Sequence, residues 1–151
     1  MSIGTDSAIE FFGTQTTLNN TTAAVADAAF SVAGDVNSWA NADDAPQASM
    51  TLLANFSVAP DANSSINLYA KLDNIQSTND QDVPDANFQH TYLGSFPLND
   101  VTTAQYINIG ISLPNTYTSQ AYIFYIENQS GQSLPLGWDL FIRPKTIGPH
   151  P

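Results

Sequence analysis

Strict alternation of apolar and polar residues between positions 106 and 113 is the feature that most constrains this chain. The apolar members fall at every second position: Ile107, Ile109, Ile111 and Leu113. The positions between them hold Tyr106, Asn108, Gly110 and Ser112. Because successive side chains of a strand point to opposite faces, this period of two predicts a β-strand with one buried face.

A second run, Gln120–Asn128, is apolar on both of its alternating faces. One face carries Tyr122, Phe124 and Ile126, and the other carries Ala121, Ile123 and Tyr125. Such a run is typical of a strand that is covered on both sides. Because the turn-rich segment Pro114–Thr116 separates the two runs, we expect them to form a hairpin.

Four further runs alternate in the same way: Gln47–Ala59, Ser65–Asp73, Phe88–Leu98 and Leu136–Ile142. The residues expected to point inward are Met50, Leu52, Ala54, Phe56, Val58, Ile66, Leu68, Ala70, Leu72, Trp138, Leu140 and Ile142. The turn residues of Pro60–Asn63 predict a second hairpin, between the first two of these runs.

The alanine-rich segment from Thr21 is ambiguous, because its composition permits a short helix. Alternation is nevertheless kept through Ala24, Ala26, Ala28, Phe30 and Val32, which favours a strand. Seven or eight short strands with regularly spaced turns predict an all-β protein. The expected architecture is an antiparallel β-sandwich, of which the jelly roll is one form.

The two ends of the chain depart from the strand pattern. Residues 1–20 hold few apolar positions beyond Ile9, Phe11, Phe12 and Leu18, and we expect an extended N-terminal arm. The sandwich domain is then expected over residues 21–143. Residues 144–151 contain three prolines, which predict a tail that does not continue a strand ladder.

Charge excludes two classes of partner. Fourteen acidic residues face three basic ones, Lys71, Arg143 and Lys145, and the net charge is −11. Such a surface repels both phosphate backbones and anionic membranes, so neither nucleic acid nor a membrane is an expected partner. The first residues lack the basic and apolar segments of a signal peptide, which predicts that the protein is made in the cytosol and stays there until it reaches its destination.

The sharpest candidate for a metal site is the acidic segment with Asp80, Asp82 and Asp85. Closely spaced carboxylates suit Ca²⁺, which takes six to eight oxygen ligands. The segment lacks the glycine and the closing glutamate of an EF-hand, so the alternative is a solvated acidic loop. No other cofactor is expected, since the chain has no cysteine and no glycine-rich phosphate loop.

Catalytic chemistry is not expected either. Only His90 and His150 offer imidazole bases, and no G-x-S-x-G nucleophile elbow is present. Trp39, Tyr117 and Trp138 could instead form a platform on which a sugar ring stacks. Burial in the core or at a subunit interface is the commoner use of such aromatic residues, and it is the favoured interpretation here.

Two stretches resemble small virion proteins encoded among the structural genes of tailed bacteriophages. They are LYAKLDNIQSTNDQDVPDANFQHTYLGSFPLND from Leu68 and FYIENQSGQSLPLGWDLFIRPKTIGP from Phe124. The resemblance lies in overall texture and has no diagnostic motif. It implies a β-sandwich with a structural role, similar to the decoration or cement proteins that sit on phage heads, some of them as trimers.

From this resemblance we expect a non-enzymatic protein on the capsid surface of a virion, bound to the major capsid protein. Since one core covers only one face of Gln120–Asn128, we also expect a homo-oligomer, with a trimer favoured. The predicted interface residues are Ile9, Phe11, Phe12, Tyr122, Phe124 and Ile126. The alternative is a β-sandwich module of a phage tail or fibre that binds a glycan or receptor.

Overall fold

A computed structural model of the chain describes residues 8–19, 23–73, 80–88, 91–115 and 117–149. The described residues form ten strands and no helix. The strands are β1 (Ala8–Phe12), β2 (Thr16–Thr17), β3 (Ala29–Phe30), β4 (Trp39–Ala40), β5 (Gln47–Ala54), β6 (Ser65–Asp73), β7 (Tyr92–Pro97), β8 (Gln105–Ser112), β9 (Ala121–Gln129) and β10 (Asp139–Pro149). None of these residues lies in a helix long and apolar enough to cross a membrane.

The strands form two antiparallel sheets packed face to face. The first has the order β1-β10-β5-β8, and β2 extends the β1 edge along β10. The second has the order β3-β9-β6-β7, and β4 extends the β3 edge along β9. Each sheet is therefore four strands wide, and the chain passes repeatedly from one to the other, as in a jelly roll. The predicted all-β sandwich is confirmed.

Both predicted hairpins are wrong. The strand β8 pairs with β5 in the first sheet, whereas β9 pairs with β6 in the second. Likewise β5 and β6, which flank the turn at Pro60–Asn63, belong to different sheets. The turns exist, but each one carries the chain from one sheet to the other. The hairpins were predicted wrongly because alternation defines which face of a strand is buried and does not define which strand lies beside it.

The core lies between the inner faces of the two sheets. Its largest fully buried side chains are Trp138, Tyr122, Phe56, Phe96 and Phe124. The inward residues predicted for β5, β6 and β10 are all buried, except that Val58, beyond the end of β5, is exposed. On β8, Ile107 and Ile111 are buried, as predicted.

The inward face of β9 corrects the predicted interface. Tyr122, Phe124 and Ile126 are fully buried in the core, so they are not available to a second subunit. The opposite face of β9 is largely covered by the chain itself: Tyr125 is 2% exposed and Ile123 is partly buried. The apolar character of both faces is thus accounted for within one copy of the protein.

The segment 24–32 is mostly not a strand. Only Ala29–Phe30 pairs with β9, while Val25 forms an isolated bridge with Leu134. Ala28 has a positive φ of 56°, which breaks the extended run before β3. Val25 is buried in the core, whereas the alternating residues Ala24, Ala26 and Ala28 are exposed.

The C-terminal prolines do not end the ladder. The strand β10 continues to Pro149, and its last residues pair with β1 from Phe12↔Lys145 to Ala8↔Pro149. Pro144 is accommodated where the edge is interrupted between β1 and β2, and its carbonyl accepts a 2.9 Å bond from the Gly13 N–H. A Cβ on Gly13 would lie 2.7 Å from the Pro144 ring, so this approach requires glycine.

Residues 8–19 line the edge of the first sheet, and Leu18 reaches the core with 1% exposure.

Buried amide side chains hold several loops in place. Asn128, fully buried, donates to the carbonyls of Val25 at 2.9 Å and Gln132 at 2.7 Å. Asn41 bonds with both the N–H and the carbonyl of Ala45. Such bonds satisfy backbone groups that would otherwise be buried without partners.

Phe124 tests the core assignment. Phe124→Ala should lower the free energy of unfolding by about 3–5 kcal/mol, because the lost burial adds to the cost of the cavity. Tyr106→Ala removes a ring that is 72% exposed and should change it by less than about 0.5 kcal/mol. Chemical denaturation measures both, and a small effect at Phe124 would contradict its position between the sheets.

Candidate functional site

A two-stranded ribbon, made of residues 8–12 and 145–149, projects from the first sheet. The pairing of β10 with β5 ends at Lys145↔Gln47, and beyond that point β10 pairs only with β1. The ribbon exposes large apolar side chains: Phe11 is 46% exposed, Phe12 is 56% and Ile147 is 56%. Among the strands of the described ranges, these two neighbouring strands carry the largest group of exposed apolar side chains.

The ribbon is held by its own ladder and by one ion pair. Lys145 Nζ lies 2.9 Å from Glu10 Oε1 across the two strands. The Phe11 ring packs so closely on Gly148 that a Cβ there would come within 3.1 Å of it. A two-stranded unit with apolar residues exposed gains stability when a further surface covers it, since an isolated pair of strands is only marginally stable.

A groove of about 350 Å³ runs along the base of the ribbon. It is lined by Phe11, Phe12, Gly13, Asp43, Ala45, Pro144 and Thr146. Of the residues predicted to form an interface, Phe11 and Phe12 are therefore exposed beside a concave apolar surface, and Ile9 is partly buried in the same strand. Ile147 and Pro144 were missed, because the tail was not expected to form a strand.

The three aspartates predicted as calcium ligands do not converge. Asp80 pairs with Lys71 at 3.6 Å, and Asp85 Oδ1 accepts the N–H groups of Asn87 and Phe88 at 2.7 and 2.9 Å. Asp82 is exposed. No group of three or more metal-binding side chains occurs within the described ranges. Asp80 instead forms an ion pair and Asp85 closes a turn, and calcium binding by this segment stays a prediction. His90 and His150 lie outside those ranges.

The aromatic residues considered for sugar binding separate in the fold. Trp138 is 1% exposed and donates its indole N–H to the Ala23 carbonyl at 3.0 Å, so it belongs to the core. Trp39 packs against Tyr122 and Phe124 and is partly buried. Only Tyr117 lies open.

Tyr117 borders a shallow depression at one end of the sandwich, with Asp44 and Asn115. The polar groups there are already used by the protein. Asn115 Oδ1 accepts bonds from Tyr122 Oη at 2.6 Å and Asn41 Nδ2 at 2.9 Å, and Asp44 Oδ1 accepts the Ser119 N–H at 2.6 Å. These bonds occupy one oxygen of each of these two side chains and fix their orientation beside the Tyr117 ring.

A polar and aromatic network covers the outer face of the second sheet. Glu127, 8% exposed, accepts bonds from Asn67 Nδ2 at 2.9 Å, Tyr69 Oη at 3.0 Å and Gln129 Nε2 at 2.8 Å. The Tyr69 ring lies 5.3 Å from that of Phe30 and 5.4 Å from that of Tyr92. These residues meet through the pairing of β9 with β3 and β6 and of β6 with β7, so alternation alone could not bring them together.

Comparison with known proteins yields a likeness of fold at low identity. No family model and no curated protein matches the chain. Among solved structures, the carbohydrate-binding module CBM35 from Cellvibrio japonicus Abf62 is 15% identical over 96% of this chain and 99% of its own, with a TM-score of 0.47. A chain of Desmodium yellow mottle tymovirus is 15% identical over 100% and 93%, with a TM-score of 0.36.

Tyr69 should make the free energy of unfolding depend on pH in the alkaline range. Burial, and then the neighbouring Glu127 carboxylate, raise the pKa of Tyr69 from 10.0 to about 12. Between these values the unfolded chain loses the phenol proton while the folded protein keeps it, so the free energy of unfolding should fall as pH rises.

Tyr69→Phe removes this titration and should make the fall between pH 10 and 12 shallower. Thermal melts over that range measure the effect, with the exposed Tyr106→Phe as the matched control. Identical pH profiles for Tyr69→Phe and the parent protein would contradict the role of the Tyr69–Glu127 contact.

Proposed function

We propose that this protein is a non-enzymatic structural component of a bacteriophage virion. In this proposal it decorates the head by binding the major capsid protein and so stabilises the shell. The observation that carries the proposal is the ribbon, which places Phe11, Phe12 and Ile147 in solvent on an element with little core of its own. Exposed apolar surface rimmed by polar residues is typical of a site of protein interaction.

The energy available at the ribbon is modest for one copy and large for many. Full burial of such a side chain is worth about 1.5–3 kcal/mol, so covering the exposed half of each of these three residues contributes about 1 kcal/mol apiece. A decoration protein that touches neighbouring capsid subunits stabilises only the assembled shell. Contacts repeated over a lattice add through multivalency if the copies are linked.

The charge of the protein sets the character of its partner. With a net charge of −11, the protein repels other acidic surfaces over a Debye length of about 8 Å at physiological salt. We therefore expect the net charge of the shell surface facing the ribbon to be neutral or positive, which leaves room for single acidic side chains. Rim charges of this kind change the rate of association and its salt dependence more than the final affinity.

Phe12→Ser tests the ribbon as the contact surface. Co-sedimentation with purified capsid shells should show an affinity lower by about tenfold or more, because an aromatic anchor at the centre of a contact carries much of its energy. Tyr106→Ser removes a comparably exposed ring from the same sheet, away from the ribbon, and should bind like the parent protein.

The outcomes of that experiment separate two functions. Equal binding by Phe12→Ser, Tyr106→Ser and the parent protein would contradict attachment through the ribbon.

The second candidate function is that of a glycan-binding module, favoured by the exposed Tyr117 ring beside the Asp44 carboxylate. A binding activity for oligosaccharide that is lost in Tyr117→Ala and kept in Phe12→Ser would select it.

A trimer of this chain stays a prediction. The two apolar faces of β9 no longer argue for it, since the chain covers both, and the ribbon is now the surface that would form the contact. Light scattering at micromolar concentration should give a multiple of 16.2 kDa. A clean monomer would exclude self-association in solution and leave assembly to the shell itself.

A further inference from the structure

A small cavity lies on the outer face of the first sheet, next to the root of the ribbon. Its volume is about 80 Å³, and its walls include Phe12, Ser49, Thr51, Asn108, Phe141 and Arg143. The lining residues come from the four adjacent strands β1, β10, β5 and β8 and from Gln15, in the connection between β1 and β2. None of the described residues that line it carries a carboxylate.

Arg143 differs from the other two cations of the chain. Lys71 lies 3.6 Å from Asp80, and Lys145 lies 2.9 Å from Glu10. Within the described part of the chain, Arg143 has no carboxylate within 4.0 Å, and its Nη2 meets only the neutral amide oxygen of Gln15 at 3.4 Å. The guanidinium is exposed, so its charge is available to a ligand.

The neighbouring polar groups add a donor to this charge. Asn108 Oδ1 accepts the Ser49 hydroxyl at 2.9 Å, and Asn108 Nδ2 donates to Thr51 Oγ1 at 3.0 Å. Since Thr51 Oγ1 accepts that bond, its own hydroxyl hydrogen can turn toward the cavity. A planar guanidinium fork beside a hydroxyl donor is complementary to a carboxylate, which accepts two parallel bonds from arginine.

We infer that this cavity binds the carboxylate of an aspartate or glutamate side chain presented by a protein partner. The Phe12 ring at its rim is exposed and would pack on an apolar residue next to that acid. An extended polyanion does not fit, because the net charge of −11 repels it while a single carboxylate needs only the local field of Arg143. The identity of the partner as the capsid protein rests on the proposed function, but the chemistry of the cavity does not.

The test is a titration of the labelled full-length protein with two peptides, acetyl-Leu-Glu-Gly-amide and its glutamine counterpart, followed by nuclear magnetic resonance. The glutamate peptide should shift the backbone resonances of Ser49, Thr51 and Asn108 in a saturable way, and the glutamine peptide should bind about fivefold more weakly. Arg143→Gln should remove that difference.

Lys71→Gln is the matched control, because it makes the same change of net charge on the other sheet and should preserve the preference for glutamate. Equal affinity for the two peptides, or a preference that survives Arg143→Gln, would overturn the carboxylate site. Binding to shells is measured separately, so a protein that prefers the glutamate peptide but ignores shells would contradict the proposed function and leave the cavity assignment standing.

Discussion

The mutual burial of the two inner sheet faces is the contact on which the rest of the structure depends. The chain has no cysteine, so no disulfide links the two sheets. At most 1% of each of three large side chains is exposed: Trp138, next to β10 of the first sheet, and Tyr122 and Phe124 of the second sheet. Once those side chains lie between the sheets, the outer faces and the overhanging end of β10 are what remains for other molecules.

Much of the fold could be predicted from the sequence, because a period of two marks a strand and the face that it buries. That is why the inward sets of β5, β6, β8 and β10 were identified correctly. Pairing could not be predicted, since the order of strands depends on how each connection crosses the sandwich. The ribbon was not predicted because a proline such as Pro144 usually ends a strand. In the structure, Pro144 lies opposite Gly13, where the edge strand is interrupted between β1 and β2, and the ladder continues beyond it.

Some residues of the candidate site could likewise be predicted from the sequence, whereas others depend on strand pairing. Phe11 and Phe12 stand out in the sequence as apolar residues in a polar segment, and the structure exposes them. Ile147 and Arg143 gain meaning only from the pairing of β10 with β1 and β5, which places them beside Phe12. Short spacing alone did not show the contacts of Asp80 and Asp85, whose carboxylates form an ion pair and close a turn.

Electron cryomicroscopy of capsid shells incubated with the purified protein tests most directly whether the ribbon is the attachment surface. The expected result is ordered density for the sandwich on the shell, with residues 8–12 and 145–149 at the contact and the opposite end of the sandwich in solvent. Shells that stay bare at saturating protein, or copies whose ribbon faces solvent, would contradict attachment through the ribbon.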